Sequence, residues 1–322
     1  HFHGAVNNDG DKPETVPFRI RWSEPDFDFC HDYMYIGYDS GWEWVMLSTP
    51  CVDSVTEMKL VVPPGRHLFC HHPKFDVGDY LALVDRMAAT PLFERVEVGE
   101  SAEGHPVACL RCGNPNGRKT VITTRAHGYE SAGAHCMDGW FRQAVSEPAA
   151  VEPVLEKLDL YFFPMLNVDA VAHGRCCFGP SGVNFGNELA LRTDDDVGAK
   201  ALTTFIFGLE PAFYLDMHNN TGPHLRDSFR VGDEKLVEAF WTVAADRSRD
   251  QKTWGGRYVA SFSEGYMLSA CQRRFNTLPM LTEFPWYTRR PQEMRAHGRE
   301  FFNALLPLLA DWPTGVEAVK ER

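Results

Sequence analysis

Short apolar and aromatic runs separated by turn residues fill the first 75 positions of the chain. The stretches at 18–22, 33–38, 42–47 and 58–62 are rich in Phe, Tyr, Trp, Ile and Val, which predicts strands of a small β-sandwich-like domain. Residues 1–15 are mostly polar and read as a mobile arm. Pro63-Pro64-Gly65 punctuates the end of the β region, and the histidine-rich stretch from His67 to His72 reads as a linker.

Beyond it the period changes. Tyr80, Leu83, Val84 and Met87 recur at helical spacing over 79–89. Strand patterns at 95–98, 107–111, 120–124, 160–166, 213–217 and 279–284 then alternate with helical patterns near 131–146, 198–209, 234–247 and 291–310. This order predicts an α/β fold, a mixed central sheet with helices on both faces, with 1–75 as the N-terminal β domain and 76–322 as the catalytic domain. In such sheets the active site lies beyond the carboxyl ends of the strands.

Composition narrows the function. The net charge of −12 lacks the basic footprint of a nucleic-acid surface, and no run of about 18 apolar residues is available to span a membrane. Nine cysteines without regular spacing fit a reduced, cytoplasmic setting better than a disulfide framework. Cys109-Leu110-Arg111-Cys112 is a lone C-x-x-C and reads as structural. The start, His1-Phe2-His3-Gly4, has neither the basic flank nor the apolar stretch of a secretory leader.

The candidate chemistry lies at strand ends. The 120–124 strand runs into Arg125-Ala126-His127-Gly128-Tyr129-Glu130 before a helical pattern begins, so an imidazole and a carboxylate share one tight turn. Zinc accepts both groups, and a catalytic zinc commonly holds two histidines, one acid and a water. A His-x-x-Glu pair alone is frequent by chance. Two more strands end in chemistry: Asp216-Met217-His218 before a polar loop, and Leu281-Thr282-Glu283 before Phe284-Pro285-Trp286. A third, at 160–166, leads to Asn167-Val168-Asp169. Aromatic neighbours around Glu283 predict desolvation and a carboxyl pKa raised toward neutrality, as a general base requires.

These motifs, in this order, resemble those of the zinc carboxypeptidases, nearest to the cytosolic carboxypeptidase branch, over about residues 76–310. Thr124-Arg125-Ala126-His127-Gly128-Tyr129-Glu130 is similar to that branch's first ligand motif. Pro164-Met165-Leu166-Asn167-Val168-Asp169 with Arg175-Cys176 is similar to its second, and Asp216-Met217-His218 and Leu281-Thr282-Glu283 to its third and fourth. The resemblance implies one Zn2+ per chain held by His127, Glu130 and His218, with Glu283 as general base and Arg175 steadying the developing oxyanion. The first motif's H-G-x-E form is also common in amidohydrolases that deacylate amino acids.

One element departs. Where the family carries an asparagine–arginine pair that grips the substrate's terminal carboxylate, this chain has Gly186-Asn187. A neutral amide supplies neither the charge nor the two-pronged geometry of a guanidinium. The expectation is an atypical metallocarboxypeptidase-like hydrolase acting on a peptide or amino-acid conjugate, with Asn187, Arg226 and Tyr266 as candidate substrate-binding residues. Arg192, Arg230, Arg273 and Arg274 are further cations available to replace the missing one, and Tyr258 is a second candidate for the tyrosine. The competing expectations are an N-acyl amino acid amidohydrolase and a non-catalytic binding module.

Overall fold

Alternation along β3 (Tyr33–Tyr38) serves two cores at once, with Met34 and Ile36 entering one and Tyr33 and Tyr35 the other. The computed structural model describes residues 3–21, 33–38, 41–46, 52–53, 55–220, 226–247, 254–258 and 262–313; Trp22, Leu47, Thr221, Gly222 and the side chain of Tyr258 lie outside the described residues. The N-terminal segment comprises β1 (His3–Asn8), β2 (Glu14–Arg21), β3, β4 (Gly41–Met46), β5 (Val55–Val62) and β6 (Gly65–Cys70). A four-stranded sheet of order β1-β6-β3-β4 and the pair β2-β5 enclose Met34, Ile36, Met58, Leu60 and Val62.

Two expectations fail here. Polar residues 3–8 form β1 and pair with β6, and the turn after them is ordered because the Asn8 amide donates to the carbonyls of Lys12 and Val62, both at 2.8 Å. The histidine-rich stretch is not a linker: it is β6 and its exit, with His67, His71 and His72 buried. Pairing on both edges, to β1 and β3, stabilises a strand whose side chains alone gave no strand signal.

After the capping box of Asp76 and Asp79 come α1 (Val77–Ala88), β7 (Glu94–Glu100), β8 (Pro106–Gly113), β9 (Arg118–Thr124), α2 (Ala132–Ser146), α3 (Pro148–Leu155), β10 (Leu158–Phe163) and α4 (Val168–Ala172). The rest is α5 (Val197–Leu209), β11 (Phe213–His218), β12 (Asp227–Val231), α6 (Glu234–Arg247), β13 (Trp254–Tyr258), α7 (Met267–Phe275), β14 (Leu278–Glu283) and α8 (Pro291–Asp311). The eight strands from β7 on form one mixed sheet of order β13-β12-β14-β11-β9-β10-β8-β7.

Its centre, β14-β11-β9-β10, is parallel, and β10 and β11 are buried along their whole length. Helices α2 and α8 pack together on one face, where Trp140, Phe141, Phe162 and Phe302 meet at ring distances of 4.9–6.2 Å. Each such ring removed from water contributes about 1.5–3 kcal/mol. Cys109 and Cys112 are buried in β8, where burial pushes both thiols up, in keeping with a structural role. No helix among the described residues is long and apolar enough to cross a membrane.

Candidate active site

The parallel order β9-β11-β14 carries three chain segments to one edge of the sheet. In the register of β11 against its neighbours, Met217 lies beside Thr124 and His218 beside Glu283, so the ends of all three strands coincide. The chain leaves β9 through Arg125, a buried residue with a φ of 63°, and turns at once into the His127–Glu130 segment. Leu166 and Asn167 donate backbone bonds to the carbonyls of Thr124 and Arg125, fixing the turn from the β10 side.

There His127, Glu130 and His218 converge, each offering one ligand atom, all within 4.8 Å of one another. Nδ1 of His127 lies 3.0 Å from one Glu130 oxygen, and Nδ1 of His218 lies 2.8 Å from the other. On its far side the His218 ring donates from Nε2 to Asp216 at 3.0 Å, and Asp216 is itself held by the Thr123 hydroxyl at 2.7 Å. That outer contact fixes the tautomer and leaves Nδ1 as the ligand atom. Two imidazoles and one carboxylate, of which Glu130 and His218 are buried and His127 partly so, are the donor set a zinc ion takes with a fourth position open. The residues fit the metal.

Charge is balanced around the same point. Burial works to raise the Glu130 carboxyl, but His218 and His127 override it and hold it far below the usual range. Burial likewise opposes charging of His218, and Glu130 and Asp216 outweigh it and push its pKa well up; Glu130 raises His127 in the same way. Both shifts favour the protonated imidazole in the metal-free chain. Zinc uptake should release up to two protons and weaken by about 100-fold per unit fall in pH while both remain protonated. Calorimetry in two buffers of different ionisation enthalpy reads this directly, and a heat independent of buffer would contradict it.

Glu283 closes the group at the end of β14. Burial pushes its carboxyl up to about 7; His218 opposes this, Glu130 adds to it, and Arg230 and His127 oppose it. Tyr266 stands within the same electrostatic reach. Burial raises its phenol, and the charges that act on it are His218, Asp216, Glu283 and Arg230.

The other expected residues are placed less uniformly. Arg175 flanks the ligand turn through its backbone: its carbonyl lies 2.4 Å from where a Cβ on Gly128 would stand, and the next carbonyl, of Cys176, accepts the Gly128 N–H. Its side chain is exposed. Asn187 is exposed in a tight turn capped by Asn184, whose side-chain oxygen accepts from the N–H groups of Gly186 and Asn187. The Asn187 carbonyl packs on Gly265, which brings it beside Tyr266. Arg226 is exposed just ahead of β12. Asp169, by contrast, turns away from the group and accepts from Ser101 Oγ at 2.5 Å, while Asn167 caps α4 by accepting from the Ala170 N–H.

Two features were not legible as function. Tyr129 stacks parallel to the His127 ring at 6.1 Å, and its carbonyl accepts from Nδ1 of the buried, neutral His72. Trp286, three residues past Glu283, donates from Nε1 to Ser131 Oγ, which itself donates to the Pro73 carbonyl, and the Trp286 carbonyl accepts from the Tyr35 hydroxyl. The tryptophan and the sheet containing β3 thus back the segment next to Glu130.

The family model described as zinc carboxypeptidase matches residues 80–176, which include the His127–Glu130 turn. That segment is similar to zinc carboxypeptidases, and the match supports a zinc metallopeptidase. A metallo-carboxypeptidase from Burkholderia cenocepacia superposes with a TM-score of 0.80 at 16% identity, covering 96% of this chain and 88% of that one. A metallo-carboxypeptidase from Pseudomonas aeruginosa, in complex with (2-guanidinoethylmercapto)succinic acid, gives 0.73 at 15% identity over 92% and 89%. Bovine thrombin-activatable fibrinolysis inhibitor, in complex with tick carboxypeptidase inhibitor, gives 0.55 at 12% identity, over 78% of this chain and 99% of that one. No curated protein matches the sequence. The carboxypeptidase-type fold thus extends across nearly the whole chain.

Proposed function

We propose that this carboxypeptidase-type chain hydrolyses the amide bond that joins the last residue of a peptide or amino-acid conjugate, with Glu283 as general base. The observation that carries the reading is the adjacency of His218 and Glu283 across the β11–β14 pair, which sets a carboxyl with a pKa near 7 beside the ligand group. When bound, zinc supplies a Lewis acid that polarises a carbonyl and makes a water more acidic. His127 Nδ1, Glu130 and His218 Nδ1 hold it, and Asp216 keeps the His218 ring oriented. Glu283 takes a proton from the attacking water and returns it to the leaving nitrogen, a role that its place beside the ligand group allows. Arg175, beside the Gly128 backbone, steadies the oxyanion, and Asn187 and Tyr266 face the leaving residue.

We propose the division into 1–75 and 76–322 on the same grounds, supported by the separate core between β2-β5 and the four-stranded sheet. The seven described cysteines are free thiols, which supports a reducing, cytoplasmic setting.

The test is hydrolysis by zinc-loaded protein of benzoyl-Gly-Phe, its C-terminal amide and N-acetylphenylalanine. Chelator-sensitive release of phenylalanine from the peptide supports the reading. Turnover of N-acetylphenylalanine alone would reassign the chain as a deacylase, and turnover of none would leave the binding module.

A further inference from the structure

We infer that Arg230 on β12 is the cation that receives a carboxylate of the substrate's leaving residue, in place of the pair that Gly186-Asn187 lacks. The inference rests on the hydrolase reading for the identity of the ligand, and its evidence lies in the β12–β14 ladder.

These strands are antiparallel, with Ser228 opposite Glu283 and Arg230 opposite Leu281. Along β12, Asp227, Phe229 and Val231 are buried while Ser228 and Arg230 are partly open, so the latter two share one face. Directly opposed residues of an antiparallel pair point the same way, which puts Arg230 on the face that carries Glu283, one step along the diagonal. That diagonal is about 7–8 Å between backbones, well within the reach of an arginine. The charge of Arg230 is felt at two groups of the site: it lowers the pKa of both Glu283 and Tyr266.

Among the described residues no carboxylate answers the charge of Arg230, and unlike Arg125, also unpartnered but fully buried behind the ligand turn, it is partly open. The Nε of Arg230 is shut off from solvent without a hydrogen-bond partner. The other candidate cations are engaged or open. Arg192 is tied to Asp195 and Glu188, Arg273 donates to the Glu264 carbonyl, Arg274 lies over the Phe207 and Phe275 rings, and Arg226 is exposed. Even Arg289, also next to β12, is neutralised by both oxygens of Asp227. A partly buried guanidinium without an anion is costly, and its planar fork matches a carboxylate with two parallel bonds. In a chain with 44 acids and 32 lysines and arginines, leaving this one unpaired next to the proposed base reserves it for an incoming anion. The anion is either the α-carboxylate of the last residue or the side-chain carboxylate of an acidic one.

Binding to zinc-loaded Glu283→Gln separates recognition from turnover. The probes are benzoyl-Gly-Phe, benzoyl-Gly-Phe amide and benzoyl-Gly-Glu α-amide. Adding Arg230→Gln should weaken binding of a carboxylate-bearing probe at least 30-fold, the factor that corresponds to about 2 kcal/mol, and leave the uncharged amide unchanged. Arg230→Lys should restore part of the loss. A loss confined to benzoyl-Gly-Phe assigns the α-carboxylate, and one confined to the glutamyl amide assigns the side chain. Zinc content and thermal unfolding check that each variant is folded. Equal affinity with and without Arg230, equal losses for acids and amide, or no binding of any probe to the parent would overturn the inference. Selective, Arg230-dependent binding by a wild type that cleaves nothing would sink the hydrolase reading alone, whereas cleavage indifferent to Arg230 would sink only this one.

Discussion

Glu283→Gln is expected to keep zinc at His127, Glu130 and His218 and to lower kcat by about 10²–10⁴-fold, the range a positioned general base supplies. Glutamine matches the side chain in size and removes only the ability to take up a proton. Glu283 stands beside the ligand group as a neighbour, so metal content should not change. The same substitution has a second signature in metal-free protein. Burial raises the folded pKa of Glu283 to about 7, above its ordinary value of 4.5, so ionisation opposes folding. Its contribution to stability is fully present below the ordinary value and is lost as pH rises through about 7. The shift corresponds to about 3 kcal/mol at pH 8. Metal-free Glu283→Gln should therefore unfold at the parent's temperature at pH 4 and above it at pH 8. In the zinc-loaded enzyme the neighbouring dication favours the carboxylate and moves its titration to lower pH. Stopped-rate assays with metal analysis decide the first point, and a variant with zinc and undiminished kcat would remove Glu283 from the mechanism.

Gly186→Ala should loosen zinc by about 100-fold or more, although residue 186 touches no ligand atom. A Cβ there would stand 2.2 Å from Nε2 of His127, 2.8 Å from Cε1 and 3.0 Å from Cδ2. The ring cannot simply yield. Its Nδ1 side is committed to Glu130 and Tyr129 lies parallel to it, so displacement takes the ligand nitrogen off its line. Loss of orientation around a ligand histidine costs about 10–100-fold in affinity, and here the ligand itself is pushed. Competition with a chromophoric chelator measures it; parent-like affinity would show that the ring has room. The departure from the family pair thereby acquires a local cause. An asparagine at 186 is incompatible with His127 as placed, so Asn187→Arg alone restores half of a pair whose other half has no space.

Much of this was readable from sequence because function and fold shared a signal. β9, β11 and β14 are apolar runs that stop at chemistry: a strand interior in a parallel sheet is continuously apolar, and its carboxyl end is where polar side chains become useful. The helices α1, α2, α5, α6 and α8 were visible from their apolar spacing. Hidden elements lacked such contrast. β12 reads Asp-Ser-Phe-Arg-Val, five residues with two apolar ones, and pairing with β13 and β14 rather than composition makes it a strand. Arg230 was hidden with it, since only the ladder distinguishes it from its exposed or engaged counterparts. The Gly186 constraint comes from a ring 59 positions earlier, and no local pattern could announce it.

The contacts from Tyr35 to Trp286 and from Trp286 to Ser131 give the first 75 residues a stake in the metal. Ser131 adjoins Glu130, and Trp286 follows Glu283 by three positions, so two of the four chemical groups are braced by a segment that supplies none of them. Removing that segment would take the Tyr35 hydroxyl from the Trp286 carbonyl and the Pro73 carbonyl from the Ser131 hydroxyl before disturbing any ligand. In thermodynamic terms, zinc affinity and the docking of the N-terminal sheet are reciprocally linked: whatever peels the sheet away must weaken the metal, and the metal must hold the sheet.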